Sequence, residues 1–156
     1  MARFHIVTTT DFSDSSMQAL DAAAALARRL DARITLLHIL HDVPAIPHGA
    51  PLAPPQHDPG LPAERHQAEE RLQAARARLP QDLEVAAVVA VGARIAMTIC
   101  AQARELDANL LLLASRGRNQ ASELLLGSTA EQVLRHASVP TLVLPVGRDA
   151  RPLQLD

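Results

Sequence analysis

Residues Leu110–Val146, LLLLASRGRNQASELLLGSTAEQVLRHASVPTLVLPV, decide the fold that this chain is expected to adopt. The apolar run Leu110–Leu113 is typical of a buried parallel strand, and a polar, glycine-containing segment follows it. Further on, Ser128 and Glu131 have the S-x-x-E spacing of a capping box, which predicts the start of a helix. The backbone N–H groups and the dipole at such a helix start favour phosphate binding. The stretch therefore predicts a strand, an anion-binding loop and a helix in succession.

Segments with strand and helix patterns alternate along the rest of the chain. Apolar runs rich in Ile, Leu and Val predict strands at Phe4–Thr9, Arg33–Leu40, Leu83–Val91, Leu110–Ala114 and Thr141–Val146. Apolar residues at helical spacing predict intervening helices that begin at Ser13 or Asp14, Pro62, Ile95 and Ser128. This alternation predicts an α/β fold with a parallel sheet and right-handed crossovers. In a doubly wound sheet, ligands bind beyond the carboxyl ends of the strands, where the strand order reverses.

The segment His41–Pro62 interrupts the pattern, because it carries most of the prolines and shows no periodicity. A loop of this length in a compact domain is functional or mobile, so we interpret it as a flexible lid after the second strand. A chain of 156 residues can form one domain with a sizeable core. We expect this domain to span residues 1–147, with a polar tail at 148–156.

The composition excludes several classes of function. A net charge of −2 indicates no general attraction to nucleic acid or to anionic membranes. The chain has no lysine, so it cannot form the G-K-[S/T] phosphate loop. Phe4 and Phe12 are its only aromatic rings apart from histidine, and Cys100 has no partner for an intrachain disulfide. No apolar run is long enough to cross a bilayer, so we expect a cytoplasmic protein without nucleic-acid or membrane partners.

The motif loop and the first two strands resemble those of the universal stress proteins. The nucleotide-binding branch of that family has the pattern G-x-x-G, nine residues, then G-[S/T]. Gly117, the nine-residue spacer, Gly127 and Ser128 match this pattern, whereas Ala114 stands at the first glycine position. The segments IVTTTDFSDSSMQAL and LLHIL also resemble the first two strands of the family, so the resemblance covers almost the whole chain.

The resemblance implies a five-stranded, Rossmann-like sheet of order 3-2-1-4-5 with helices on both faces, related to the adenine nucleotide alpha hydrolases. In that order the chain first adds strands on one side of the first strand and then adds the fourth strand on its other side, so the strand order reverses between the first and fourth strands. Asp11, after the first strand, and the loop from Ala114 to Ser128, after the fourth, are then expected to face the same crevice.

The resemblance further implies that ATP binds in this crevice with Mg²⁺ or Mn²⁺, which the phosphates would largely hold. Backbone N–H groups at the two motif glycines and the hydroxyls at the helix start are expected to contact phosphate, and two loop arginines would add charge-assisted bonds. The end of the first strand would line the nucleoside pocket. Ile39 would offer backbone contacts to adenine, and Leu113 would pack near the base. The residues implied are Thr9, Thr10, Asp11, Ile39, Leu113, Ala114, Arg116, Gly117, Arg118, Gly127, Ser128 and Thr129.

Three other interpretations remain open at this point. The same fold without nucleotide binding could act as a dimeric interaction module, and Ala114 favours this alternative. An enzyme of the wider superfamily would need an S-G-G-x-D-S or H-I-G-H motif, which the chain lacks, so at most slow ATP hydrolysis is expected. The third interpretation is a metal site formed by the histidines around residues 38–66, although their spacing matches no zinc site.

The last strand is expected to form an unprotected edge of the sheet. An apolar edge with unpaired backbone groups favours pairing with another strand, and the family commonly dimerises there. We therefore expect a two-fold homodimer and an additional, unidentified protein partner. The competing possibility is that the prolines and the tail protect the edge in a monomer. The predicted interface comprises Thr141, Leu142, Val143, Leu144, Pro145 and Val146.

Overall fold

The structure is a computed structural model that describes residues 2–49, 52–117, 126–147 and 150–155. Its strands are β1 (His5–Thr9), β2 (Arg33–His41), β3 (Val85–Gly92), β4 (Leu110–Ala114) and β5 (Thr141–Leu144). Its helices are α1 (Asp14–Leu30), α2 (Leu61–Ala77), α3 (Ile95–Glu105) and α4 (Ser128–His136). Arg118 lies outside the described residues, so its predicted role stays a prediction. In the part described, no helix is long and apolar enough to span a membrane.

The strands form one parallel sheet in the order β3-β2-β1-β4-β5. This order confirms the doubly wound arrangement that the resemblance implies. The strand order reverses between β1 and β4, which pair from Ile6 with Leu110 to Thr8 with Leu112. The loops after these two strands consequently diverge and leave a crevice at the carboxyl edge of the sheet.

Each strand contributes neighbouring side chains to opposite faces of the sheet, and the helices cover both faces. Ile6 packs in a cluster with residues of α1 and α2, whereas Val7 packs in a second cluster with residues of α3 and α4. Leu112 likewise packs in the first cluster, and Leu111 packs in the second. Because alternate residues of a strand point to opposite faces, α1 and α2 cover one face and α3 and α4 cover the other.

The start of α4 differs from the predicted capping box. Gly127 is the residue before the helix, with extended backbone, and Glu131 N donates to Gly127 O at 2.8 Å. Ser128 is already helical, so its side chain is not placed to cap the N–H three residues on, and no side-chain cap forms. The prediction that Ser128 and Glu131 form a capping box was therefore wrong.

Two strand boundaries differ from the sequence prediction by two residues, and the other strand boundaries by one residue at most. β5 ends at Leu144 instead of Val146, because the Ser115 carbonyl, the next acceptor beyond β4, accepts the N–H of Gly127 instead. β3 begins at Val85 instead of Leu83. The start of α1 agrees, since Ser13 is the N-cap and accepts a hydrogen bond from Ser16 N.

The proline-rich segment after β2 is anchored near both of its ends. Asp42 is buried and accepts a hydrogen bond from His57 Nδ1, at 2.5 Å, which holds the pKa of the Asp42 carboxyl below its usual value. Ala45 and Gln56 form an isolated antiparallel bridge. None of the described residues between Asp42 and Gly60 lines the crevice at the carboxyl edge. The described part of the segment therefore does not border the cleft, and its role as a lid stays a prediction.

Candidate functional site

A cleft of about 690 Å³ opens at the carboxyl edge of the sheet. It lies where the strand order reverses between β1 and β4, and residues of β2, α2, α3 and α4 complete its walls. The structure brings together every described residue that the resemblance assigns to nucleotide binding. These are Thr9, Thr10, Asp11, Ile39, Leu113, Ala114, Arg116, Gly117, Gly127, Ser128 and Thr129.

The chain leaving β1 is fixed by the Thr10 side chain. Thr10 N donates to Leu37 O at 2.9 Å, and the Thr10 and Ser16 hydroxyls are 2.9 Å apart. Thr10 Oγ1 also accepts the N–H of Phe12 at 2.9 Å. The hydroxyl of Thr10 therefore holds the turn into α1, which leaves its backbone and the neighbouring residues to face the cleft.

Asp11 connects the start of α1 with the motif loop. Its Oδ1 accepts the backbone N–H of Ser13 at 3.0 Å and the Ser13 hydroxyl. Its Oδ2 lies beside Gly117, where a Cβ atom would be only 2.6 Å from it. The carboxylate thus orients the turn, as a helix-start aspartate does, and also forms part of the cleft wall.

The glycine before α4 does not offer the phosphate donor that the sequence predicts. Gly127 N donates to Ser115 O at 2.7 Å and so closes the motif loop. The first three N–H groups of an α-helix have no partner within the helix, and here they belong to Ser128, Thr129 and Ala130, which line the cleft. The predicted anion site remains, but its backbone donors are those of the first turn of α4 and not that of Gly127.

Ala114 occupies the first motif position without backbone strain. Positive φ angles among the described non-glycine residues occur at Phe12, Asp31 and Asp107, so Ala114 keeps an ordinary conformation. It is the last residue of β4 and pairs with Leu144. A glycine is therefore not required by the backbone at this position.

Arg116 links the cleft to the chain after β5. Its Nη2 donates to Val146 O, and it also lines the cleft. Gly147 has φ +139°, and a Cβ atom there would lie 2.6 Å from the Arg116 guanidinium. Glycine is favoured at residue 147 by this φ, which residues with a side chain rarely adopt, whereas the long Arg116 side chain could move aside. Arg116 is held at the edge of the predicted phosphate site.

Sequence reasoning missed the wall that α2 contributes. Glu64, Gln67, Ala68 and Arg71 line the cleft and follow the three- and four-residue spacing of one helix face. Only the buried stripe of α2 was evident from the sequence, because exposed polar residues carry no signal of what they face. Phe12, His38, Ile95 and Ile99 are further lining residues without a sequence prediction of this role.

The described residues of the cleft offer no protein cage for a metal ion. Among the described residues there is no group of three or more His, Cys, Asp and Glu side chains suited to one. His38 uses Nδ1 in a 2.7 Å hydrogen bond with the carbonyl of Thr10. Any divalent ion in the cleft would therefore depend on the ligand for most of its coordination.

One protein family matches the sequence over nearly its whole length. The model of the Universal stress protein family matches residues 3–145. The chain belongs to the universal stress protein family. The match confirms the resemblance read from the motif loop and the first strands, and it spans every strand and helix of this universal stress protein.

Solved structures agree on the fold of this universal stress protein. A family member from Burkholderia pseudomallei is 26% identical with a TM-score of 0.67, and the alignment covers 91% of this chain and 96% of that one. A universal stress protein in complex with cAMP is 24% identical (TM-score 0.61; coverage 92% and 98%). The Archaeoglobus fulgidus protein in complex with dAMP is 21% identical (TM-score 0.61; coverage 92% and 98%). No curated protein matches the sequence significantly.

Proposed function

We propose that this universal stress protein binds ATP with Mg²⁺ in the cleft between β1 and β4 and acts as a nucleotide-dependent regulatory factor of the stress response in the cytoplasm. The observation that carries the proposal is the convergence of the described motif residues on one cleft of about 690 Å³. Two structural neighbours are named as complexes with adenine nucleotides, cAMP and dAMP, which supports a nucleotide as the ligand.

The first turn of α4 supplies the phosphate end of the proposed site. The N–H groups of Ser128, Thr129 and Ala130 and the positive end of the helix dipole favour an anion there. Arg116 lines the cleft nearby and adds positive charge. The β1 side, with Asp11, would then face the ribose, and Mg²⁺ would be held by the phosphates.

Calorimetric titration with ATP and Mg²⁺ tests the proposal on the unsubstituted chain and on Ser128→Asp. An acidic residue in the first turn stabilises a helix, so α4 should persist, but its charge should repel phosphate and weaken binding by about tenfold or more. Ala63→Asp is the matched control, because it adds an acid to the first turn of α2 outside the cleft. Absence of binding to the unsubstituted chain would refute the proposal.

We also propose that the protein forms a homodimer through β5. β5 is an edge strand of the sheet, and its side chains are only half-buried. Such an edge favours pairing with a second strand. Residues 150–153 of the tail border a small cavity together with Gln18 and Asp21 of α1 and with the chain that leaves β5, so they lie on the same side of the molecule as this edge.

A further inference from the structure

On the α2 wall of the cleft, the positively charged side chain of Arg71 lies over an aromatic ring. Arg71 lies with its guanidinium carbon 4.1 Å from the centre of the Phe12 ring. Within the described part of the chain it makes no salt bridge, whereas Arg65, on the same helix, pairs with Glu69 and donates to Val89 O. Arg71 therefore presents a planar cation to the cleft that no carboxylate of the described residues neutralises.

Phe12 is held rigidly beneath this guanidinium. It has a φ of +65°, which is costly for a bulky residue and persists only where the surrounding structure holds the residue in place. Its ring lies 4.5 Å from that of His38, tilted by 38°, and its N–H is bound by the Thr10 hydroxyl. His38 in turn is fixed to the carbonyl of Thr10. These contacts give Arg71 a fixed flat surface, which orients the guanidinium plane.

The position of Arg71 in the fold corresponds to the base end of the proposed ligand. β2 and β4 flank β1 on opposite sides, about 10 Å apart at the usual strand spacing. α4 follows β4, while α2 follows β2 and carries Arg71. A nucleotide with its phosphates at the first turn of α4 therefore extends across the end of β1 towards β2 and α2.

We propose that Arg71 determines the preference for purines in this site by stacking its guanidinium on the base. Arginine stacks on aromatic faces because its guanidinium is planar and weakly hydrated. Of the two Phe rings in the chain, Phe12 lies at the site and already contacts the guanidinium and His38. Arg71 is therefore the planar group that the α2 wall presents to a base. This inference rests on the proposed nucleotide binding and goes beyond it by assigning the selectivity to one residue.

The test compares titrations of ATP and UTP, each with Mg²⁺. We expect the unsubstituted chain to prefer ATP, because a purine has the larger face for stacking. Arg71→Ala should weaken ATP binding by about tenfold and UTP binding by less than about threefold. Arg71→Lys keeps the charge but loses the planar group, so it should behave like Arg71→Ala. Arg76→Ala, in the last turn of α2 and outside the cleft, is the matched control and should change neither affinity.

Other results would overturn the assignment. Equal losses for ATP and UTP in Arg71→Ala, restored by Arg71→Lys, would mean that Arg71 acts as a charge on the phosphates. Unchanged binding in Arg71→Ala would mean that it does not touch the ligand. Both results leave the proposed function intact, because the unsubstituted chain still binds ATP. If the unsubstituted chain binds neither nucleotide, the proposed function and this inference fail together.

Discussion

The Asp11 carboxylate occupies the space into which a side chain at residue 117 would point, although 106 positions separate the two residues in the chain. An added Cβ atom at Gly117 would be 2.6 Å from Asp11 Oδ2, closer than side chains approach. A side chain at residue 117 would therefore displace the Asp11 carboxylate, and this conflict, not a left-handed backbone, favours glycine there. The motif glycine makes room for an aspartate that lines the cleft.

Gly117→Ala should weaken ATP binding by about tenfold, because the new methyl group displaces a carboxylate that is expected to hydrogen-bond the ligand. Titration calorimetry measures this effect. A double-substitution cycle provides the control: once Asp11→Ala is present, Gly117→Ala should cost little further affinity. Additive losses in the double variant would contradict a direct contact between these two residues.

Ala114→Gly should change ATP affinity by less than about threefold, because the backbone at Ala114 has an ordinary conformation. The glycine should lower the free energy of unfolding by about 0.5–1 kcal/mol, since it ends a strand without a side chain to pack. Titration and chemical unfolding measure the two effects. A large gain in affinity would show instead that the Ala114 methyl group crowds the ligand.

Val143→Pro should convert the proposed dimer into a monomer. Leu111 N donates to Pro140 O, and Ser115 N donates to Leu144 O. Because the backbone groups of successive residues in a strand point to opposite sides, the N–H of Val143 points away from β4. Proline there removes a donor from the open edge without breaking a bond to β4. Light scattering reports the change in mass.

Leu142→Pro is the counterpart of this substitution, because the same alternation directs the N–H of Leu142 towards β4. It should lower the thermal stability of the protomer rather than act on dimerisation alone. A monomeric unsubstituted chain at micromolar concentration would contradict the dimer itself.

His5 should make the protein less stable as the pH falls. Its side chain is buried between Leu106 O, 2.9 Å from Nδ1, and Thr35 Oγ1, 2.8 Å from Nε2, and burial lowers the pKa of the imidazole. Nδ1 must donate to the carbonyl, so Nε2 accepts the Thr35 hydroxyl and the ring is neutral. A lowered folded-state pKa means that stability is complete above the unfolded value of about 6.5 and declines as the pH drops towards the folded value.

Chemical unfolding at pH 7 and pH 5 measures this dependence. His5→Gln should reduce stability at pH 7, because the buried hydrogen bonds are disturbed, but should flatten the decline towards pH 5. His136→Gln is the control, since His136 is exposed at the end of α4. An unchanged pH dependence in His5→Gln would assign the decline to other groups.

Local patterns were sufficient for the elements and the family. The apolar run at Leu110 and the alternation of strands with helices predicted the α/β class, and the spacing of Gly117, Gly127 and Ser128 indicated the family that the full-length match confirms. Such signals survive in the sequence because strand burial, helix periodicity and glycine spacing depend on residues close together in the chain.

The order of the elements and the residues around the motif loop could therefore be predicted from the sequence. Three contacts became visible only in the folded structure. Gly127 N donates to Ser115 O, the Asp11 carboxylate lies beside Gly117, and Arg71 lies over Phe12 and faces the cleft. The physical reason is that these relationships join segments far apart in the chain. Exposed polar residues such as Arg71 follow no periodic pattern that reveals their partners, so only the packing of α2 against β2 and β3 brings that guanidinium to the site.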